Sequence, residues 1–437
     1  MTSSSRGGSD PHLWYPFSPI GGGPPPLRVV SGQGAKLHLE DGRSLIDCIS
    51  SWWVNLHGHA HPYIAEAIHA QARKLEHVVF AGFTHEPAEA LAGRLVGLLP
   101  GGLTRVFYSD DGSTAVEVAL KMVHQHWQNR GEARRTFIAF EGAYHGDTFG
   151  AMAVGARSAF TSAFDEFLFP VERFPFPDTW IGDDTCDERE KAVVSALEAR
   201  LARGRTAGHS DVAAVIVEPL VQGAGGMRMC RTPFLNRLRD VTREHDVLLV
   251  FDEVMTGFGR TGERFACERA GVEPDVICLA KGLTGGFLPL AVTVASAEVY
   301  ESFGGGDPKR TLWHGHSYTA NPLGCAAALA SLDLLEENVD AFRGMEAHHL
   351  AFLDTLADLP VERPRATGTI VAFDLTTGTG GYFDPVAAKI KERAPDRGLL
   401  LRPLGNTVYL MPPYCLSDEE RREVYKGIRE LVREVIA

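Results

Sequence analysis

The 437-residue sequence predicts an α/β fold built on a mainly parallel sheet. Three observations predict it. Short apolar, β-branched runs recur (AAVIV at 213–217, VLLVF at 247–251, VICLA at 276–280), as in strands buried on both faces. From about Glu66 onward, such runs alternate with longer helical patterns, which is the order of βαβ units. Each of the three runs also ends at once on a reactive residue, Glu218, Asp252 or Lys281. Open α/β sheets bind ligands beyond the carboxyl ends of their strands, so these three residues are expected to face one site.

Along the chain, Gly21-Gly22-Gly23-Pro24-Pro25-Pro26 breaks any regular element, and residues 36–49 read as short strands around the turn Glu40-Asp41-Gly42-Arg43. Val106-Phe107-Tyr108 reads as a strand, followed by Ser109-Asp110-Asp111-Gly112-Ser113-Thr114 and a helix with Val116, Leu120, Val123 and Trp127 on one face. Residues 141–147, EGAYHGD, form a polar loop carrying an aromatic. Further loops are expected at residues 202–210 and 304–308, a helix from about Ser331, a strand at 369–375 and an amphipathic helix over 417–436.

Composition bounds the function. With 44% hydrophobic and 23% charged residues the chain is ordinary globular protein, and its length favours two domains. A net charge of −13 argues against a nucleic-acid or anionic-membrane partner. The N-terminus, Met1 to Asp10, has no apolar export region, and no run reaches the roughly 20 apolar residues of a membrane span. Seven scattered cysteines without a CxxC pair read as reduced core residues of a cytoplasmic protein, with no metal framework.

A lysine at a strand end among buried groups points to Schiff-base chemistry, because burial lowers the proton affinity of its amine and makes it nucleophilic. Pyridoxal phosphate would need two further parts. One is a carboxylate against the pyridine nitrogen, for which Asp252 is the candidate. The other is an anion cradle, and the Gly112-Ser113-Thr114 turn at a helix N-terminus offers free N–H groups, hydroxyls and the positive end of the helix dipole. Taken alone, that turn reads as a plain N-cap with Ser or Thr. Tyr144, on its polar loop, could stack on a flat ring.

Together these residues resemble the class III aminotransferases of fold type I. The matching segments are residues 109–118, 144–150, the stretch DEVMTGFGRTG at 252–262, and 279–286; Lys281 follows Asp252 by 29 positions, as in that family. The resemblance implies a large domain with a mainly parallel seven-stranded sheet (residues 66–330) and a smaller α+β domain from both chain ends, with residues 1–65 and 331–437 contributing. It implies pyridoxal 5′-phosphate held by Gly112, Ser113, Glu218, Asp252, His316 and Ser317, with Tyr144 on the ring and Lys281 as its covalent attachment and proton carrier. It further implies a homodimer with shared active sites, Ser317 reaching the phosphate from the other subunit.

Four segments resemble the biotin-synthesis branch of the family: Ser50-Ser51-Trp52-Trp53, residues 144–150, Trp313-His314-Gly315-His316-Ser317-Tyr318, and LRPLGN at 401–406 with YLMPPY at 409–414. That likeness implies S-adenosylmethionine as amino donor and 8-amino-7-oxononanoate as acceptor. Phe17, Trp52, Trp53, Tyr144, Asp147, Lys281, Gly315 and Arg402 would line the substrate pocket. Arg402 would offer a fork to the acceptor's carboxylate, and the tryptophans would supply apolar walls. Of two adjacent tryptophans, at least one is expected to point away. The branch usually carries a tyrosine where this chain has Phe17, which cannot donate a hydrogen bond. Another class III ω-amine or diamine aminotransferase, or the same acceptor with lysine as donor, therefore stays open at this point.

Overall fold

The structure, a computed structural model, describes residues 12–20, 25–203, 205–206, 209–376, 381 and 384–436. Met1 to Asp10 and the stretch Gly21 to Pro24 of the early loop lie outside the described residues. A seven-stranded sheet organises the molecule. Its strands, in chain order, are β1 (Leu103–Ser109), β2 (Thr136–Phe140), β3 (Glu172–Phe174), β4 (Val212–Val217), β5 (Leu248–Asp252), β6 (Val276–Leu279) and β7 (Ala291–Ser296). Their spatial order is β1-β7-β6-β5-β4-β2-β3, and β7 alone runs antiparallel to its neighbours.

The apolar runs are continuous because both faces of the sheet are covered. Every residue of β4, β5 and β6 is buried. One apolar cluster packs Val215, Val217, Leu249 and Phe251 on one face; a second packs Ala214, Ile216, Val250 and Cys278 on the other. Register then sets the site. Phe251 lies opposite Val217 and Asp252 opposite Cys278, so Glu218, Asp252 and Lys281 leave the sheet at one edge.

The helix Gly112–Asn129 follows β1 and buries Val116, Leu120, Val123 and Trp127, as its periodicity predicts. Its N-cap is Asp111, which forms a capping box with Thr114; the expected Ser or Thr cap is thus corrected. Asp111 satisfies the Thr114 N–H at 2.9 Å, and Gly112 and Ser113 line the cavity at the sheet edge.

Two further sheets combine the chain ends. Val29–Gln33, Lys36–Leu39 and Ser44–Asp47 pair antiparallel, and Leu399–Leu400 joins them in parallel. Val361–Thr367, Ile370–Leu375 and Thr407–Leu410 form the other. A third apolar cluster joins Ile46 and Cys48 to Phe373, Leu410, Ile428 and Leu431. The terminal helix Asp418–Ile436 buries Val424, Ile428, Leu431 and Val435.

Two expectations are corrected. The predicted loop over 202–210 is instead the end of helix Cys186–Arg203 and a short antiparallel pair, Arg205–Thr206 with His209–Ser210. The helix expected from Ser331 begins earlier, as Pro322–Glu337, because Asn321 caps it and Pro322 fits its first position. All seven cysteines are free, six of them buried. Among the described residues, no helix is long and apolar enough to cross a membrane, and no cluster of His, Cys, Asp and Glu is arranged to hold a metal.

Candidate active site

Lys281 opens a short 3-10 turn, Lys281–Thr284, directly after β6. Its φ of +47° is left-handed, a conformation that costs a non-glycine residue about 1–2 kcal/mol. The turn delivers its amine into a cavity of about 440 Å³ lined also by Gly112, Ser113, Tyr144, Glu218 and Asp252. Burial pulls the Lys281 ammonium down from 10.5 to about 8, against the pull of the Asp252 and Glu218 carboxylates and with some help from Arg260. About a tenth of the amine is then neutral and nucleophilic at pH 7, several hundred times the share of an ordinary lysine.

Asp252 is nearly fully buried at the end of β5. One carboxylate oxygen accepts the Val254 N–H at 3.0 Å, and the other accepts the Nδ1–H of His145 at 2.7 Å. Burial disfavours the His145 imidazolium, but the hydrogen bond and charge of Asp252, with the charge of Glu218, leave its proton affinity raised. Sequence reading passed over His145; its adjacency to Tyr144 on a loop facing the sheet edge was the available signal.

Glu218 fastens two loops. Its carboxylate accepts the Tyr144 N–H and the Gly223 N–H, each at 3.0 Å. Burial raises its pKa to about 7 even so. Tyr144 is 38% exposed, and burial followed by the neighbouring Asp147 raises its phenol.

The Gly112-Ser113 turn is closely packed. A Cβ on Gly112 would stand 2.5 Å from Val254 Cγ1, so glycine is required where the helix meets the loop after β5. Ser113 Oγ accepts the Thr148 N–H at 3.0 Å and shares a 2.8 Å bond with the Thr148 hydroxyl. No acidic residue occupies the first helical turn. These features fit pyridoxal phosphate. An anion-ready helix N-terminus, a buried carboxylate and a buried amine of lowered proton affinity share one cavity of suitable size.

A second cavity of about 750 Å³ adjoins the first and shares Trp53, Tyr144, Asp147 and Lys281 with it. Phe17, Trp52 and Arg402 also line it, so the expectation that one tryptophan points away is corrected. The reason is the backbone. Ser50, Ser51 and Trp53 have φ of +51°, +61° and +69°, which defeats the facing rule of regular elements. Arg402 lies over the Trp52 ring, 4.4 Å from its centroid, and Phe17 meets the same ring edge-on at 5.5 Å. Tyr409, unassigned from sequence, lines this cavity as well.

Gly315, His316 and Ser317 line neither cavity within one chain. They sit on an exposed loop where Trp313 and Tyr318 are 77% and 64% exposed. Tyr318 packs on His77, near exposed Val79 and Phe83.

Fold and cavity together define a pyridoxal-phosphate-dependent enzyme of fold type I. The family model "Aminotransferase class-III" matches residues 18–432. An adenosylmethionine-8-amino-7-oxononanoate aminotransferase from Synechococcus elongatus is 59% identical over 428 residues, covering 98% of this chain and 100% of that protein. Its namesake from Nitratidesulfovibrio vulgaris is 41% identical, covering 96% of this chain and 79% of that protein. Among solved structures, the enzyme of that name from Methanocaldococcus jannaschii superposes with a TM-score of 0.87 at 32% identity, covering 97% of each chain. A pyridoxal-phosphate-bound amine transaminase from an uncultivated Pseudomonas species gives 0.90 at 30% identity, covering 98% and 99%. The chain belongs to the class-III aminotransferases.

Proposed function

We propose that this aminotransferase moves the amino group of S-adenosylmethionine to 8-amino-7-oxononanoate, giving 7,8-diaminononanoate in biotin synthesis by a ping-pong reaction. The observation that carries the reading is the convergence of Trp52, Trp53 and Arg402 on a cavity that opens onto Lys281. The acceptor is a long apolar chain with a remote carboxylate, which suits aromatic walls and a guanidinium fork. The donor's sulfonium and adenine suit the same aromatic faces. The names of the relatives support the substrate pair.

Bound pyridoxal phosphate supplies an electron sink that stabilises negative charge at the substrate's amine-bearing carbon. Gly112 and Ser113 would hold its phosphate, Asp252 its ring nitrogen, and Tyr144 one face of its ring. His145 donates to Asp252 and so fixes the carboxylate's orientation. Lys281 would carry the cofactor, and its neutral amine would take and return the proton at the reacting carbon. Glu218 keeps the Tyr144 loop in place through its two backbone bonds.

The same reading makes the protein a cytoplasmic homodimer. Trp313, Tyr318, Val79 and Phe83 are exposed apolar side chains that a second copy would cover. Ser317 and His316 of that copy would complete the phosphate site, and Gly315 the substrate site. It also divides the chain into a cofactor domain at 66–330 and a smaller domain from residues 1–65 and 331–437.

Incubating the purified holoenzyme with both substrates tests the reaction, with 7,8-diaminononanoate as the expected product. A fully loaded enzyme that makes none refutes it. Phe17 at the pocket favours a second reading of the donor alone, in which lysine or another ω-amine serves the same acceptor. Single-turnover conversion of the cofactor's visible absorbance with each donor separates the two.

A further inference from the structure

Lys281 has a neighbour that the roles above leave unexplained. Its Nζ lies over the face of Trp53, 4.5 Å from the ring centroid. Trp53 is 4% exposed and its indole Nε1–H donates to the Tyr409 hydroxyl at 2.9 Å. The two rings meet edge-on, with centroids 6.3 Å apart. The segment is fastened to the same part of the chain a second time, where Ser50 Oγ donates to the Met411 carbonyl at 2.7 Å. The backbone between these points is left-handed at Ser50, Ser51 and Trp53, so it does not hold this shape by local preference.

We propose that Tyr409 is a positioning residue for Lys281: by accepting the Trp53 N–H it holds the face of that indole against the lysine amine.

The physical argument has two steps. An indole has one donor and no acceptor, and a buried donor without a partner is costly. Tyr409 therefore selects one orientation of the ring. In that orientation the negative face of the indole is turned to Nζ and favours the ammonium over the neutral amine. The other groups facing the amine are the Asp252 and Glu218 carboxylates and the Arg260 guanidinium, with Tyr144 and His145 on the cavity wall. Burial alone drives the amine toward neutrality, and the indole face offsets part of that drive, leaving the lysine able both to lose and to hold a proton. The strand Thr407–Leu410 thereby sets a property of a residue on the far sheet.

The inference rests on Lys281 being the reactive lysine, and its test does not use turnover. The full-length protein is stripped of cofactor and trace-acetylated with acetic anhydride across pH. Occupancy of Lys281, read by peptide mass, gives the proton affinity of its amine. Tyr409→Phe keeps the ring and removes only the acceptor, and the Lys281 midpoint is expected to fall by about half a unit to one unit, part of the worth of a buried cation–π contact. Trp53→Phe, with a weaker ring face, lowers it by about half a unit. In the Trp53→Phe background there is no N–H to hold, so Tyr409→Phe has no further effect. An unmoved midpoint in Tyr409→Phe, or an equal fall with and without Trp53, overturns the proposal. Should Tyr409→Phe fail to fold, an unmoved midpoint in Trp53→Phe overturns it. An ordinary lysine midpoint in the unsubstituted chain also overturns it, but at the Lys281 assignment beneath it.

Discussion

Replacing Lys281 with methionine should stabilise the cofactor-free protein. The lysine is buried, and its ammonium is held down from 10.5 to about 8 by that burial, net of the help from Asp252 and Glu218. In the unfolded chain the amine keeps its ordinary affinity, so folding at neutral pH must bury a charge. At 1.36 kcal/mol per unit, the depression amounts to about 3 kcal/mol of destabilisation. The sign follows from proton counts. Below pH 8 both states hold the proton and the full penalty is present. Between about 8 and 10.5 the folded state has lost the proton while the unfolded state keeps it, and the penalty fades. Methionine is of similar length and adds no charge, so Lys281→Met should gain about 3 kcal/mol at pH 7. The gain should shrink steadily above pH 8. Urea unfolding of both cofactor-free proteins, at one protein concentration and several pH values, measures this. A gain absent at pH 7, or one independent of pH up to 10, would refute the account of the lysine's environment.

Other consequences are equally direct. Asp111→Ala removes the carboxylate that accepts the Thr114 N–H while leaving the Asp111 N–H to Thr114 Oγ1 bond, and should cost about 1 kcal/mol in urea unfolding. Gly112→Ala forces a Cβ against Val254, parting the helix N-terminus from the loop after β5. It should cost about 1–3 kcal/mol of stability and weaken cofactor retention in equilibrium dialysis. Arg402→Met should lower kcat/KM for a carboxylate-bearing acceptor by roughly 10- to 100-fold, the worth of a charge-assisted bond, while leaving the cofactor's absorbance unchanged.

Much of the site is legible in the sequence because its residues follow local rules. Glu218, Asp252 and Lys281 each end a buried strand, and strand register alone gathers them at one edge. Gly112 and Ser113 begin a helix whose apolar face is plain in the sequence. What escaped reading depends on contacts between distant parts of the chain. The orientation of Trp53 is settled by Tyr409, 356 positions away, and by a backbone that leaves the regular regions at Ser50 and Ser51. His145 takes its meaning from Asp252, 107 positions away. Gly315, His316 and Ser317 line neither cavity in a single chain, and no periodicity could say what lies opposite them. The start of helix Pro322–Glu337 was misplaced for a simpler reason: its small, apolar N-terminal half, PLGCAAALA, shows little of the one-sided pattern that marks a surface helix.

The central claim is that one lysine carries the cofactor. Borohydride reduction of the purified holoenzyme, followed by proteolysis and mass spectrometry, tests it most directly. The account predicts a single peptide bearing the reduced phosphopyridoxyl group on Lys281, with none in Lys281→Ala. The group on any other lysine, or its persistence in Lys281→Ala, would contradict it.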